Sequence, residues 1–96
     1  MKIAIVGCGN MGLAYARSFL KYNLVTPENL LLVEKSDDRK EHLEKLAIGK
    51  VVSHFDNTIA QYDIIIVSVK PQDFPAVAEG LRKALTKNNI VLSIMA

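Results

Sequence analysis

The chain has 96 residues, half of them hydrophobic, with 12 basic and 10 acidic side chains and a net charge of +2, so it makes one domain with a core of its own. No apolar run approaches the roughly 20 residues of a membrane span, the charges are interspersed without the basic stripe that nucleic acid requires, and a single cysteine excludes an internal disulfide. Met1-Lys2 leads straight into apolar residues with no signal-type segment ahead of them, so a cytoplasmic protein is expected.

The first twelve residues organise the rest. Ile3-Ala4-Ile5-Val6 is a continuous apolar run of the kind that forms a buried parallel strand, and it feeds Gly7-Cys8-Gly9-Asn10-Met11-Gly12, a G-x-G-x-x-G pattern. A nucleotide pyrophosphate has to lie almost on the backbone at the amino end of a helix, where unpaired N–H groups and the helix dipole favour an anion. Gly7 then allows the tight turn, Gly9 lets the main chain touch the phosphates, and Gly12 lets the helix pack close to the strand. Met11 to Leu24 reads as that helix, capped by Asn10, with Met11, Tyr15, Ser18, Phe19 and Tyr22 at helical spacing.

Strand and helix then alternate. Pro27 keeps Thr26 out of helical geometry, and Leu30-Leu31-Leu32-Val33 is a second buried strand. Ser36-Asp37-Asp38 supplies capping oxygens for a helix to about Ala47 that Gly49 ends, with Leu43 and Leu46 facing inward. Val51-Val52-Ser53 is a short edge strand, and Asp56-Asn57 caps a helical turn through about Tyr62. Asp63 to Val69 is the strongest strand, with five β-branched residues in seven, and is placed centrally. Lys70-Pro71-Gln72 breaks it, Asp73 caps the next helix, and Phe74, Val77, Ala78, Leu81 and Leu85 form one apolar stripe. Asn88-Asn89 turns the chain into a fifth strand, Ile90 to Ile94. Right-handed crossovers give an α/β, Rossmann-like parallel sheet of five strands in the order 3-2-1-4-5, with helices on both faces.

In such a sheet ligands bind beyond the carboxyl ends of the strands, where the winding reverses, here between the first and fourth strands. Gly7 to Gly12, Ser68 to Gln72 and Ser93 to Ala96 converge there. Glu34-Lys35-Ser36 closes the second strand, and Glu34 lies 22 residues beyond Gly12, close to the spacing of an acid that hydrogen-bonds the adenosine ribose. Cys8 reads as a small tolerated residue with nothing nearby to activate it. His42 and His54 have no partner at a metal-binding spacing and read as surface residues. No metal ligand and no catalytic residue is identified.

Ile5-Val6-Gly7-Cys8-Gly9-Asn10-Met11-Gly12, Ser68-Val69-Lys70-Pro71-Gln72 and Leu92-Ser93-Ile94-Met95-Ala96 together resemble pyrroline-5-carboxylate reductase over the whole chain. Related dehydrogenase domains, including the coenzyme F420-dependent NADP oxidoreductases, share parts of this pattern. The resemblance implies a reductase that moves hydride from NAD(P)H to the C=N carbon of 1-pyrroline-5-carboxylate, making proline. It also implies that residues 1–96 are the dinucleotide-binding domain of a homo-oligomeric parent. The family's carboxy-terminal helical domain, which dimerises and completes the substrate pocket, is absent from the chain. Carried over to this sequence, the cofactor-binding residues are Gly7, Cys8, Gly9, Asn10, Met11 and Gly12 in the loop, Glu34, Lys35 and Ser36 after the second strand, and Ser68, Val69, Lys70 and Pro71 after the fourth. Asn57 is the candidate for an adenosine-side contact, with Asp56 or Phe55 as neighbours that could take its place. Lys70 is expected near the nicotinamide ribose or the phosphates.

The family often has Ser-Asn-Arg where this chain has Glu34-Lys35-Ser36, and Met95 replaces its usual alanine. Glu34 would face the 2′-phosphate of NADP(H) with like charge, whereas Lys35 would attract it. The expectation is use of both dinucleotides with a slight lean to NAD(H). Two alternatives are another reductase of the same fold group and a non-enzymatic dinucleotide-sensing module.

Overall fold

A computed structural model of the chain describes residues 1–94, so Met95 and Ala96 of the expected loop after the fifth strand lie outside the described residues. The strands are β1 (Ile3–Val6), β2 (Leu30–Val33), β3 (Lys50–Val52), β4 (Ile64–Val67) and β5 (Ile90–Ser93); the helices are α1 (Asn10–Lys21), α2 (Asp37–Leu46) and α3 (Phe74–Ala84). All five strands are parallel, in the expected order β3-β2-β1-β4-β5. The middle belongs to β1, with β4 beside it. Ile5 pairs with Leu32 on one side and Ile66 on the other.

Because a parallel sheet is covered on both faces, its inner strands are apolar at every position rather than alternately. One face carries Ile3, Ile5, Leu30, Leu32 and Ile66 against Ala16 of α1 and Leu43 of α2. The other carries Ala4, Val6, Leu31, Val33, Ile65 and Val67 against Ile59 and Leu81 of α3. Each large aliphatic residue buried in this way contributes about 1.5–3 kcal/mol.

The α1 helix lies close against β1, and only small residues fit at the contact, which Gly12 and Ala16 make. Met11, Tyr15 and Tyr22, whose helical spacing marked the helix, are exposed on it, with the Tyr15 and Phe19 rings 6.0 Å apart on the flank. The helix stops at Lys21 rather than Leu24, because Asn23 takes a left-handed conformation at φ 58°. The α2 helix ends on Ala47, also left-handed at φ 53°, and not on Gly49. Gly49 instead lies where a side chain would meet the Leu30 carbonyl at 2.7 Å.

Several boundaries also shift. Ser53 falls outside β3, Asp63, Ser68 and Val69 outside β4, and Ile94 outside β5. Asp56 caps the 3-10 turn Asn57–Gln61 as expected, accepting from the Thr58 hydroxyl and from the Thr58 N–H at 2.9 Å, and these two hydrogen bonds, the hydroxyl's first, hold its carboxyl below the usual range. Asn89 ties the turn before β5 to that segment, donating to the carbonyls of Ala60 (2.9 Å) and Tyr62 (2.7 Å). Beyond this anchor β5 is an outer strand whose Ile90, Val91 and Leu92 are each about half exposed, at 57%, 45% and 49%.

Candidate functional site

The glycine loop leaves β1 in a conformation that only its sequence permits. Gly7 has φ +85°, and a Cβ there would stand 2.5 Å from Val69 Cγ1 and 2.9 Å from Val69 N. Its N–H donates to the Val33 carbonyl at 2.9 Å, while the Gly7 carbonyl accepts from the Ser68 hydroxyl. Ser68 N–H in turn donates to the Val6 carbonyl at 2.9 Å, so the hydrogen-bond ladder between β1 and β4 continues into both loops. Gly12 closes the arrangement from the helix side: a Cβ on it would lie 2.8 Å from the Gly7 oxygen and 2.8 Å from Ser68 Oγ. These contacts fix the start of α1 against the ends of two strands.

At that start, Gly9 rather than the expected Asn10 is the N-cap, and no side chain caps the helix. Asn10 is already helical and exposed, so its amide does not reach back. The first-turn N–H groups have no intrahelical acceptor and face the mouth of a cleft.

The cleft has a volume of about 760 Å³, within the range of small-molecule sites. Gly7, Gly9, Asn10 and Met11 line it from the loop, Glu34, Lys35 and Ser36 from the end of β2, and Ser68, Val69 and Lys70 from the end of β4. Of the expected residues, Cys8, Gly12, Pro71 and Asn57 do not line it. Of the three neighbours offered for the adenosine side, Phe55 lines the cleft, together with Ser53 and His54, whereas Asp56 and Asn57 do not. His54 is exposed there, and His42 is exposed on α2 away from the cleft. Among the described residues no group of three or more His, Cys, Asp or Glu side chains could hold a metal ion.

Three features of the outer wall are not evident from motif spacing. Glu34 is buried, at 8% exposure, and its Oε2 accepts the Ser36 N–H at 2.9 Å, so the carboxylate bends back to its own loop. Lys35 Nζ lies 3.1 Å from Asp73 Oδ1, an ion pair between the end of β2 and the start of α3. Asp73 occupies the N-cap position of α3, but its side chain makes no cap bond and its Oδ1 accepts from Lys35 instead. Finally, Arg39 extends from the first turn of α2 to the loop. Its Nη1 stands 2.6 Å from where a Cβ on Gly9 would be.

Cys8 sits beneath these charges with 3% of its surface exposed. Burial pushes its thiol up to about 11, helped by the negative charge of Glu34 and opposed by Arg39. The thiol is therefore neutral at physiological pH, without the thiolate that nucleophilic chemistry requires.

These residues fit a dinucleotide. A backbone cradle that side chains would fill, uncapped N–H groups at a helix start and an acid at the end of β2 are the parts such a ligand uses. A family model described as "NADP oxidoreductase coenzyme F420-dependent" matches residues 2–96. A pyrroline-5-carboxylate reductase of Methanosarcina acetivorans is 36% identical over 99% of the chain, which covers 35% of that protein. The solved pyrroline-5-carboxylate reductase of Coxiella burnetii superposes with a TM-score of 0.86 at 20% identity, over 99% of this chain and 35% of that one. The Plasmodium falciparum enzyme, solved with NADP bound, gives 0.77 at 25% identity, over 99% of this chain and 33% of that one. The chain thus spans about a third of the length of these relatives.

Proposed function

Matched over residues 2–96, the chain belongs to the family described as NADP oxidoreductase coenzyme F420-dependent and is a dinucleotide-binding reductase domain; from that premise we propose that it serves the reduction of 1-pyrroline-5-carboxylate to proline. The observation that carries this reading is the pairing of the Gly7–Gly12 loop with the Ser68–Gln72 turn across one cleft, in a chain 36% identical to a pyrroline-5-carboxylate reductase. A bound NAD(P)H supplies the hydride, and the protein's part is to hold and orient it.

In this reading the loop N–H groups at Gly9 to Gly12 meet the pyrophosphate, and the β2 end with Phe55 faces the adenosine. Ser68, Val69 and Lys70 face the nicotinamide half. Lys70 is exposed and stands three residues beyond the end of β4, so its ammonium can approach a ribose or phosphate without being desolvated. The substrate site is completed by a further domain of a homo-oligomeric parent, and residues 1–96 alone bind the dinucleotide without turning over the imine.

Titration of the chain with NADH and NADPH, followed by NMR, tests the binding half: saturable shifts at Gly9 to Gly12 are expected. Assay of the full-length gene product with 1-pyrroline-5-carboxylate tests the substrate, and dinucleotide binding without proline formation would refute it. The family description favours a second reading, hydride exchange between NADP and coenzyme F420. Oxidation of NADPH by that coenzyme, with none by the imine, would establish the second reading in place of the first.

A further inference from the structure

We propose that Arg39 is the residue that admits a 2′-phosphate into the adenosine end of this cleft, so that the domain accepts NADP(H) in spite of Glu34. The proposal rests on the dinucleotide reading above and adds to it a specificity determinant. Three charged side chains close to the β2 end bear on that phosphate, two of them cations. Lys35, adjacent to Glu34 in sequence, is already held by Asp73 at 3.1 Å. Glu34 would repel a 2′-phosphate, but its Oε2 is bonded to the Ser36 N–H, which turns part of its charge toward its own loop.

Arg39 has no ion pair among the described residues, lines the cleft and holds its guanidinium over Gly9. Gly9 is the position whose missing side chain brings a dinucleotide onto the backbone, so a cation there is within reach of whatever lies on the loop. A planar guanidinium can bind phosphate oxygens through two parallel hydrogen bonds, which an ammonium at that place does not reproduce. The 2′-hydroxyl of NAD(H) offers it no comparable partner. Arg39 and Glu34 thus act as opposed determinants on one ribose.

The test compares dissociation constants of NADH and NADPH for wild type, Arg39→Ala, Arg39→Lys and Glu34→Ser, with adenosine 2′-monophosphate and 5′-monophosphate as probes that lack the nicotinamide. Arg39→Ala should weaken NADPH and the 2′-monophosphate about tenfold or more while changing NADH and the 5′-monophosphate less than about threefold. Arg39→Lys should fall between, and Glu34→Ser should strengthen NADPH. Equal losses for both dinucleotides on Arg39→Ala would assign Arg39 to the pyrophosphate and overturn the proposal, as would no loss for either. If wild type binds neither dinucleotide, the functional reading falls and this proposal with it; a wild type that binds both, with an Arg39 variant that does not discriminate, overturns the proposal alone. Circular dichroism of each variant separates altered binding from altered folding.

Discussion

On the sheet side of the loop, Gly7 and Gly12 are fenced by main chain, by Val69 and by Ser68; on its outer side, among the described residues, Gly9 is fenced only by the tip of Arg39. Main-chain atoms in a hydrogen-bonded sheet do not yield without disturbing the strands that carry them, whereas a guanidinium on a flexible stem swings aside at little cost. Glycines two or three positions apart in one motif therefore answer different demands. Gly7 and Gly12 are required by the fold, and Gly9 is left open for what the fold binds.

Filling each site separates the two demands. Gly12→Val should cost about 3 kcal/mol or more through overpacking against the Gly7 carbonyl, Ser68 and Ile5. At roughly 4–8 °C per kcal/mol for a domain of this size, that is a large fall in melting temperature or loss of folding. A Gly12→Val domain as stable as wild type would show that the sheet side of the loop yields.

Cys8, buried beneath the loop and its charges, responds to pH. Its folded pKa of about 11 lies above the ordinary 9.0, so its neutral thiol contributes stability in full below about pH 9, and that contribution is lost as pH rises through 11. The difference in unfolding free energy between wild type and Cys8→Ala should shrink by about 2–3 kcal/mol over that interval, since each pKa unit is worth about 1.4 kcal/mol. Denaturant titrations at several pH values measure it, and a pH-independent difference would place the thiol in contact with water.

Filling the outer side should spare the fold and remove the ligand. Gly9→Val is expected to change stability by less than about 1 kcal/mol, because only the end of Arg39 has to move. Affinity for NADH should drop by more than about tenfold, or 1.4 kcal/mol, since the side chain stands where the backbone meets the phosphates. Unchanged affinity beside an unchanged circular dichroism spectrum would put the pyrophosphate elsewhere. Smallest of all, Lys35→Ala should alter stability by under about 1 kcal/mol, because the lysine side chain is 68% exposed and its pair with Asp73 is screened by salt. A larger, salt-insensitive loss would make the pair a structural brace.

The strand order and all five strands were legible because each strand is a short apolar run bounded by glycine, proline or capping residues, and parallel crossovers permit few windings. The loop was legible because its chemistry is written in consecutive residues. Arg39 was not, since its reach to Gly9 depends on the rotation of α2 about its own axis, to which the sequence of its first turn gives no clue. Asp73 was read as a cap from its local position, but a lysine 38 residues away claims its carboxylate. The same limit applies at Asn57, which the sequence put ahead of its neighbours Asp56 and Phe55, whereas the loop after β3 turns Phe55 into the cleft. Motif spacing locates backbone, whereas side-chain partners are settled by tertiary contacts between distant segments.

At the far side of the sheet, β5 offers one row of backbone N–H and C=O groups that no strand among the described residues pairs, along Ile90-Val91-Leu92-Ser93, which has neither a charge nor a proline. Such an edge is a template on which another extended segment can add, and the usual protections of a lysine, a proline or a bulge are missing. In concentrated solution the isolated chain should consequently be colloidally poor, gathering into strand-paired aggregates while its core stays folded. Placing one charge there, as in Val91→Lys, should raise the concentration at which light scattering first appears, with little change in melting temperature.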